Sequence, residues 1–232
     1  MIDEHWHLIG AATLFVGSHI GMAAHPLRAS LVGRYGLNGY LIAYSAVSII
    51  LFGVLISAFG NAPREYLWLA PTWVRHLPMG VMLIVCTLIV AGYMGPNPTA
   101  VGLDRLAKLE DGPKGIFRVT RHPILSAIAL WAIVHIPASG QMTGIILQAA
   151  IGLLAIVGMN QIDRRKAREK GEAWQAYAQQ TSAIPFAAII RGRQRFVFSE
   201  IGWLPVIGGI GLYAILISAH PHIIGVSPLP MP

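Results

Sequence analysis

Long apolar segments, separated by short polar connections, are the main feature of this chain. Six of them contain no Asp, Glu, Lys or Arg and are close to the about 20 residues that a helix needs to cross a bilayer. They cover residues 6–26, 37–60, 77–95, 122–138, 141–162 and 203–219. The pattern predicts an all-α integral membrane protein, with a bundle of six transmembrane helices in one domain over residues 1–232.

The connection between the fifth and sixth segments, residues 161–202, is the longest of the five. Five basic residues between positions 164 and 170 suit a helix C-terminus, so we expect the fifth helix to continue to Gly171. Beyond it, Trp174 and Tyr177 predict a short amphipathic helix on the cytoplasmic side, along the headgroup region. The apolar stretch 184–190 is too short to span, and it predicts either insertion at the membrane edge or closure over the bundle.

Composition and charge agree with a membrane protein and limit its partners. The chain is 55% hydrophobic and only 12% charged, which is far from the averages of soluble domains. Fifteen of the 17 Lys and Arg residues fall in the first, third and fifth connections, which places these connections in the cytoplasm and both termini in the periplasm. We therefore expect a multi-pass protein of a bacterial inner membrane, whose net charge of +7 serves topology and contact with the lipid bilayer rather than nucleic acid.

Histidines are the candidate ligands inside the apolar segments. The single cysteine, Cys86, excludes a disulfide or a cysteine-ligated zinc site within the chain. His19 and His135 fall inside predicted spans, where one histidine alone is commonly a hydrogen bonder between helices. Two of them in one small bundle, without carboxylate partners, favour a shared metal or porphyrin. Zinc prefers three or four ligands, whereas haem needs one or two axial histidines and an apolar slot, so haem is the favoured cofactor.

Depth in the membrane tests whether the two histidines can share one iron. Counted along helices from Arg28 and Arg121, His19 and His135 lie about 13 and about 21 Å deep. The difference of about 8 Å is within the about 12 Å that two histidines on one iron span. His122, beside Arg121 at the rim, is the weaker partner. The Arg-His pair is read either as an anion or cofactor site or as the plain start of a helix.

Small and hydroxyl residues on three segments predict helix packing. Glycines in the fifth and sixth segments favour close approach of helices, at Gly144, Gly152, Gly158, Gly208, Gly209 and Gly211. A polar stripe at helical spacing on the second segment predicts interhelical hydrogen bonds, from Tyr40, Tyr44, Ser45 and Ser48.

Several of these residues match the pattern of a known family. The chain resembles the NnrU family at His19 with Pro26-Leu27-Arg28, at Arg121-His122-Pro123 with His135, and most specifically at the run Thr-Ser-Ala-Ile-Pro-Phe-Ala-Ala-Ile of 181–189. That family includes bacterial proteins linked to denitrification and nitric oxide metabolism, and the plant 15-cis-zeta-carotene isomerase. The resemblance implies a haem b with His19 and His135 as its metal ligands. We add Arg28, Arg121 and His122 as candidate cofactor-binding residues.

The resemblance implies one of two roles. The protein acts either in nitrogen-oxide metabolism, beside a nitric oxide reductase system, or in redox-dependent cis-trans isomerisation of an apolar polyene such as a carotene. Two residues of the isomerase pattern differ in this chain. Its cysteine is replaced here by Ala132, and the position of its loop histidine falls near Asn61.

A second resemblance supplies the alternative function. Arg121-His122-Pro123, followed by Asp163, Gly171 and Trp174, is similar in spacing to S-adenosylmethionine-dependent membrane methyltransferases of the isoprenylcysteine and phospholipid type.

Overall fold

The computed structural model describes residues 4–229, and this part of the chain is helical without a β-strand. A single turn of 3-10 helix covers Leu109–Asp111. The α-helices in chain order are α1 (Trp6–Ala23), α2 (His25–Asn61), α3 (Thr72–Tyr93), α4 (Ile116–Val119), α5 (Pro123–Ser139), α6 (Met142–Lys170), α7 (Glu172–Gln180), α8 (Ala187–Ile190), α9 (Phe198–Ile201) and α10 (Trp203–Ile224).

Four of these helices, α2, α3, α6 and α10, are long and apolar enough to cross a membrane. The apolar helix α5 is shorter, with 17 residues. The helix α1 has 18 residues and lies outside this set of four. The all-α class is therefore confirmed, with four candidate membrane-spanning helices, whereas the count of six crossings stays a prediction.

The long helices pack in an order that sets their directions. The helix α5 lies between α3 and α6, α10 packs on α3, and α1 packs on both α2 and α6. Because His5 meets Thr143 and Gln161 Nε2 donates to the Ile20 carbonyl at 3.0 Å, α1 runs parallel to α6. The helix α5 joins α6 through a tight turn at Gly140 and is antiparallel to it.

Two ends of the bundle are used as reference points below. The basic end contains Arg28, Arg121 and Arg165. The hairpin end contains the turn between α5 and α6 at residues 139–141.

The predicted connection at 27–36 is mostly helical, because residues 25–35 form a helix. The helix α1 ends at Ala23, the extended residue Ala24 (ψ 138°) breaks the path, and α2 begins at His25. The path breaks again at Gly36, whose φ of 71° and ψ of 168° are open only to glycine. Residues 25–35 therefore form a separate helical piece before the second apolar segment.

Other boundaries differ where a polar residue ended the apolar segment but not the helix. The helix α6 continues to Lys170 and stops at Gly171 (φ 54°), as the cluster of basic residues predicted. The helix α3 begins at Thr72 rather than at residue 77, so the polar residues Arg75 and His76 lie within its first turns. The helix α10 continues to Ile224, past the histidines that ended the predicted segment.

Close helix contacts account for some of the predicted small residues. A Cβ added at Gly152 would lie 2.7 Å from Ala132 Cβ, and one at Gly209 would lie 2.5 to 2.9 Å from Thr87. At Gly211 nothing lies within 4 Å. Gly152 and Gly209 therefore serve close packing as predicted, and Gly211 does not.

The long connection folds over the basic end. The predicted helix is present as α7, but Trp174 and Tyr177 are only 2% and 4% exposed, so they pack inside the protein rather than along a headgroup region. The backbone that follows pairs with the start of α5, through Arg121 N to Ser182 O and Phe186 N to Val119 O, both at 2.9 Å. The stretch 184–190 was expected either to insert at the membrane edge or to close over the bundle, and these bonds agree with closure.

Candidate functional site

His19 lies one turn before the end of α1, between aromatic rings. Its Nδ1 is 2.8 Å from the Phe15 carbonyl oxygen, and the Phe15 and Tyr44 rings lie 4.4 and 5.4 Å from its own. Because a carbonyl only accepts, Nδ1 carries the proton and Nε2 keeps its lone pair. Metal-binding histidines commonly donate their other ring nitrogen in this way, and this bond leaves the Nε2 of His19 as its available nitrogen.

His135, near the end of α5, repeats this arrangement. Its Nδ1 is 2.8 Å from the Trp131 carbonyl oxygen, and the two rings are 5.3 Å apart. His19 and His135 therefore bond their own helices through Nδ1. His76 makes the same type of bond to Thr72 O at 2.7 Å, so the arrangement does not by itself identify a ligand.

The structure places the two histidines at different depths along α6. Ala132 meets Gly152, so His135 stands level with about residue 149 of the antiparallel α6. The bond between Gln161 and Ile20 places His19 level with about residue 160. The Cα atoms are therefore about 16 Å apart in depth.

The sequence count of about 8 Å was too short because it treated His19 and Arg28 as part of one helix. In the structure α1 ends at Ala23, and a second helix begins at His25. The residues between His19 and Arg28 therefore do not measure depth.

Side-chain direction offsets part of this difference. Side chains lean toward the N-terminus of their helix, and α1 and α5 run in opposite directions, so the two imidazoles lean toward one another by a few ångströms each. The helix α1 packs on α6 at Leu147 and Ala150, whereas α5 packs at Gly144 and Gly152, about a third of a turn away. The helices α1 and α5 therefore pack on different faces of α6.

The donor chemistry fits haem, because each imidazole has Nδ1 occupied and Nε2 left for iron. The Cα spacing in depth is a few ångströms longer than the about 12 Å of two histidines on one iron. Residues 4–229 contain no group of three or more His, Cys, Asp or Glu side chains placed to hold a metal ion directly.

Arg121 and His122 meet Asp163 at the basic end. Arg121 Nε is 3.0 Å from both carboxylate oxygens, and its Nη2 donates to Oδ2. His122 Nε2 is 2.8 Å from Oδ1. The side chains of Arg121 and Asp163 are 15% and 21% exposed, so this ion pair joins the start of α5 to α6 in a largely buried setting.

The carboxylate determines which ring nitrogen of His122 is protonated. Asp163 only accepts, so Nε2 carries the proton, and Nδ1 is buried without a hydrogen-bond partner among residues 4–229. Burial lowers the pKa of His122, and the contact with Asp163 opposes this in part. The Nδ1 atom of His122 is therefore an unused nitrogen within the described part of the chain. Cofactor binding by Arg121 and His122 stays a prediction.

The sequence analysis missed two further ion pairs at the basic end. Lys166, 4% exposed, lies 2.6 Å from Asp104, where burial would raise the pKa of Asp104 but the bond to Lys166 lowers it on balance. Arg118 donates to Glu200 at 2.8 Å and holds the pKa of this carboxyl at about 2. The sequence signal for these pairs was a single acidic residue within a basic connection. It does not identify the basic partner, because that partner is far away in the chain.

Arg28 lies at the basic end, beyond the break that follows α1. Its Cζ is 5.5 Å from the centre of the Tyr40 ring, and its Nη1 is 3.4 Å from Glu169 Oε1. Arg165 lies beside the same oxygen, at 3.9 Å from its Nε. The sequence predicted Arg28 as a cofactor-binding residue and missed its partners, Tyr40 on α2 and Glu169 on α6.

Comparison with known proteins supports one of the two resemblances. The family model described as NnrU protein matches residues 7–228. The chloroplastic 15-cis-zeta-carotene isomerase of Arabidopsis thaliana is 35% identical over 226 residues, which cover 92% of this chain and 59% of that protein. The protein of the same name from Zea mays is 29% identical over 190 residues, covering 78% of this chain and 50% of that protein.

The chain thus spans between half and three fifths of the length of these curated relatives. No solved structure matches it. The methyltransferase alternative is not supported by these relatives, which are isomerases by name. Since the family model covers nearly the whole chain, the protein belongs to the NnrU family.

Proposed function

We propose that this protein is a haem-b-dependent cis-trans isomerase of an apolar polyene within a membrane. The curated relatives support the reaction, because both are named as isomerases of a 15-cis carotene. The observation that carries the proposal is the similarity to these two relatives over most of this chain. The haem part is supported by the placement of His19 and His135, whose Nδ1 atoms each lie 2.8 Å from a carbonyl of their own helix and leave Nε2 for iron. Cis-trans isomerisation adds and removes no atoms, so the reaction consumes no second substrate.

Haem b, when bound, supplies an iron centre that can take up and return an electron. The residues of this chain orient its ligands. The carbonyls of Phe15 and Trp131 set the tautomer of the two imidazoles, and the Phe15 and Tyr44 rings restrict the His19 ring. The proposed place for the polyene is the side of α6 between α1 and α5.

Ala132 affects this proposal because the isomerase pattern has a cysteine there. It is 3% exposed and packs directly against Gly152. The chain therefore offers no thiol at this position, and the proposed haem depends on the two histidines alone.

We further infer that α1 and α5 cross the membrane together with the four longer helices. Six crossings place both termini on one side, and the excess of Lys and Arg places the basic end in the cytoplasm of a bacterial cell. The nitrogen-oxide role and the nitric oxide reductase partner stay predictions from the family resemblance.

Absorption spectra of the protein purified from haem-supplied cells test the proposal. We expect a low-spin haem b, and we expect His19→Ala and His135→Ala each to give high-spin or haem-free protein, because an apolar interior offers few substitute nitrogen donors. His76→Ala is the matched control, since this histidine has the same Nδ1 bond on α3. In cells that accumulate 15-cis-zeta-carotene, the wild type should convert it to the 15-trans isomer, as measured by chromatography.

A wild type without haem, or a low-spin spectrum kept by both histidine variants, contradicts the proposed ligands. A change in only one variant means that one histidine holds the haem.

A further inference from the structure

Two arginines at the basic end share a single carboxylate. Arg28 and Arg165 have side chains only 21% and 24% exposed, and both face Glu169 Oε1, at 3.4 and 3.9 Å. A charge-assisted hydrogen bond is shorter, at about 2.8 Å. One carboxylate between two guanidinium groups also leaves an excess of positive charge.

Each guanidinium has an unused donor. The Nε atoms of Arg28 and Arg165 are buried and have no hydrogen-bond acceptor among residues 4–229. Native proteins rarely leave buried polar groups unpaired, and a buried cationic donor is the most costly kind. The planar donor fork of a guanidinium matches the oxygen pairs of carboxylate and phosphate. The two side chains therefore present donors for one further anion.

Aromatic rings connect this pair to His19. Arg28 lies over the ring of Tyr40, whose hydroxyl donates to Met22 O at 3.2 Å. The Tyr40 and Tyr44 rings are 5.9 Å apart, and the Tyr44 ring is 5.4 Å from that of His19. The arginine pair thus lies on the His19 side of the bundle, at the end where the proposed topology places lipid headgroups.

We propose that Arg28 and Arg165 form a binding site for one anionic oxyacid group, a carboxylate or a phosphate. A haem propionate is one source of this group, and that source rests on the proposed function. The phosphate of an anionic lipid is the other source and is independent of haem.

The test compares the variant Arg28→Gln/Arg165→Gln with the wild type and with Arg168→Gln. Arg168 is exposed and lies one turn further along α6, so its replacement removes a charge from the same helix without touching the site. In one arm the haem-free protein is titrated with haem and with haem dimethyl ester, which has no propionate charge. In the other arm native mass spectrometry measures retention of phosphatidylglycerol and of phosphatidylcholine.

We expect the wild type and Arg168→Gln to prefer the charged ligand in one arm by about tenfold, and the double variant to lose this preference. Preference for haem over its ester assigns the site to a propionate, and preference for phosphatidylglycerol assigns it to a lipid phosphate. Equal behaviour of the wild type and the double variant in both arms overturns the proposal.

Failure of the proposed function is distinguishable from failure of this site. If neither haem nor its ester binds to any of the proteins, the haem proposal fails and the lipid arm decides this site. If the double variant does not fold, Arg165→Lys replaces it, because lysine keeps the charge but lacks the donor fork. We expect Arg165→Lys to weaken the preference, and an unchanged preference overturns the proposal.

Discussion

Asp163 shows how one side chain connects distant parts of this protein. It accepts hydrogen bonds from Arg121 Nε at 3.0 Å and from His122 Nε2 at 2.8 Å, and so joins the start of α5 to α6. Thr120, the residue before Arg121, joins the same region to the long connection, because its Oγ1 donates to the Ala183 carbonyl oxygen at 3.0 Å. The carboxylate therefore compensates a buried charge and also determines the protonated nitrogen of His122.

We expect Asp163→Asn to lower the free energy of unfolding by about 3 kcal/mol, because removal of one partner leaves the other charge buried and uncompensated. Chemical unfolding in detergent measures this loss. The control is Asp111→Asn, at an exposed position, which should change the stability by no more than about 0.5 kcal/mol. An equally small effect at both positions would show that Arg121 finds another partner or reaches water.

At the scale of elements, the break at Gly36 separates two helical pieces with different environments. Residues 25–35 carry Arg28 and Arg34, whereas the piece that follows is apolar from Leu37 onward. Only glycine adopts the φ of 71° with the ψ of 168° found here without strain. The break therefore allows the first piece to lie at the basic end while the second piece runs along the bundle.

We expect Gly36→Ala to lower the free energy of unfolding by about 1–3 kcal/mol, because a side chain strains this conformation. Gly33→Ala is the matched control. Gly33 lies in the helical piece just before the break, and an added Cβ would have nothing within 4 Å. Its replacement should leave stability unchanged or raise it by up to about 1 kcal/mol. Equal unfolding curves for the two variants would mean that the break is not required.

At the scale of the whole molecule, the distribution of basic residues predicts the topology. Fifteen of the 17 Lys and Arg residues fall in the first, third and fifth connections, and α6 carries several of them past its apolar part. Their ion pairs lie at the same end of the bundle, at Asp104, Asp163 and Glu200. The charges thus gather at one end of the bundle and also hold the connections against the helices.

We expect a fluorescent protein fused after Lys170 to be active, because the positive-inside rule places this end of α6 in the cytoplasm. Alkaline phosphatase fused to the C-terminus of the whole chain should be active, since six crossings return the chain to the periplasm. Activity assays on whole cells measure both fusions, and the exchanged reporters are the controls. A C-terminal fusion that fluoresces would contradict a periplasmic C-terminus.

The sequence by itself determined the helical class, the positions of the long apolar helices and the family, because apolar length, charge distribution and motif residues are properties of local segments. It also singled out His19, His135, Arg121 and Arg28. The extension of α6 to Lys170 followed from the basic residues at a helix end, and the stop followed from Gly171.

Only the tertiary structure decided how these residues are arranged. The depth of His19 depends on the break at Ala24 and on the contact between Ile20 and Gln161, and counting along the chain includes neither. Arg121 pairs with Asp163 of α6, which is 42 positions away in the chain. Arg28 pairs with Glu169 near the end of α6, which is more than a hundred positions away. Such contacts depend on which faces of α1, α5 and α6 meet, and a single sequence specifies those faces only through the packing of the whole bundle.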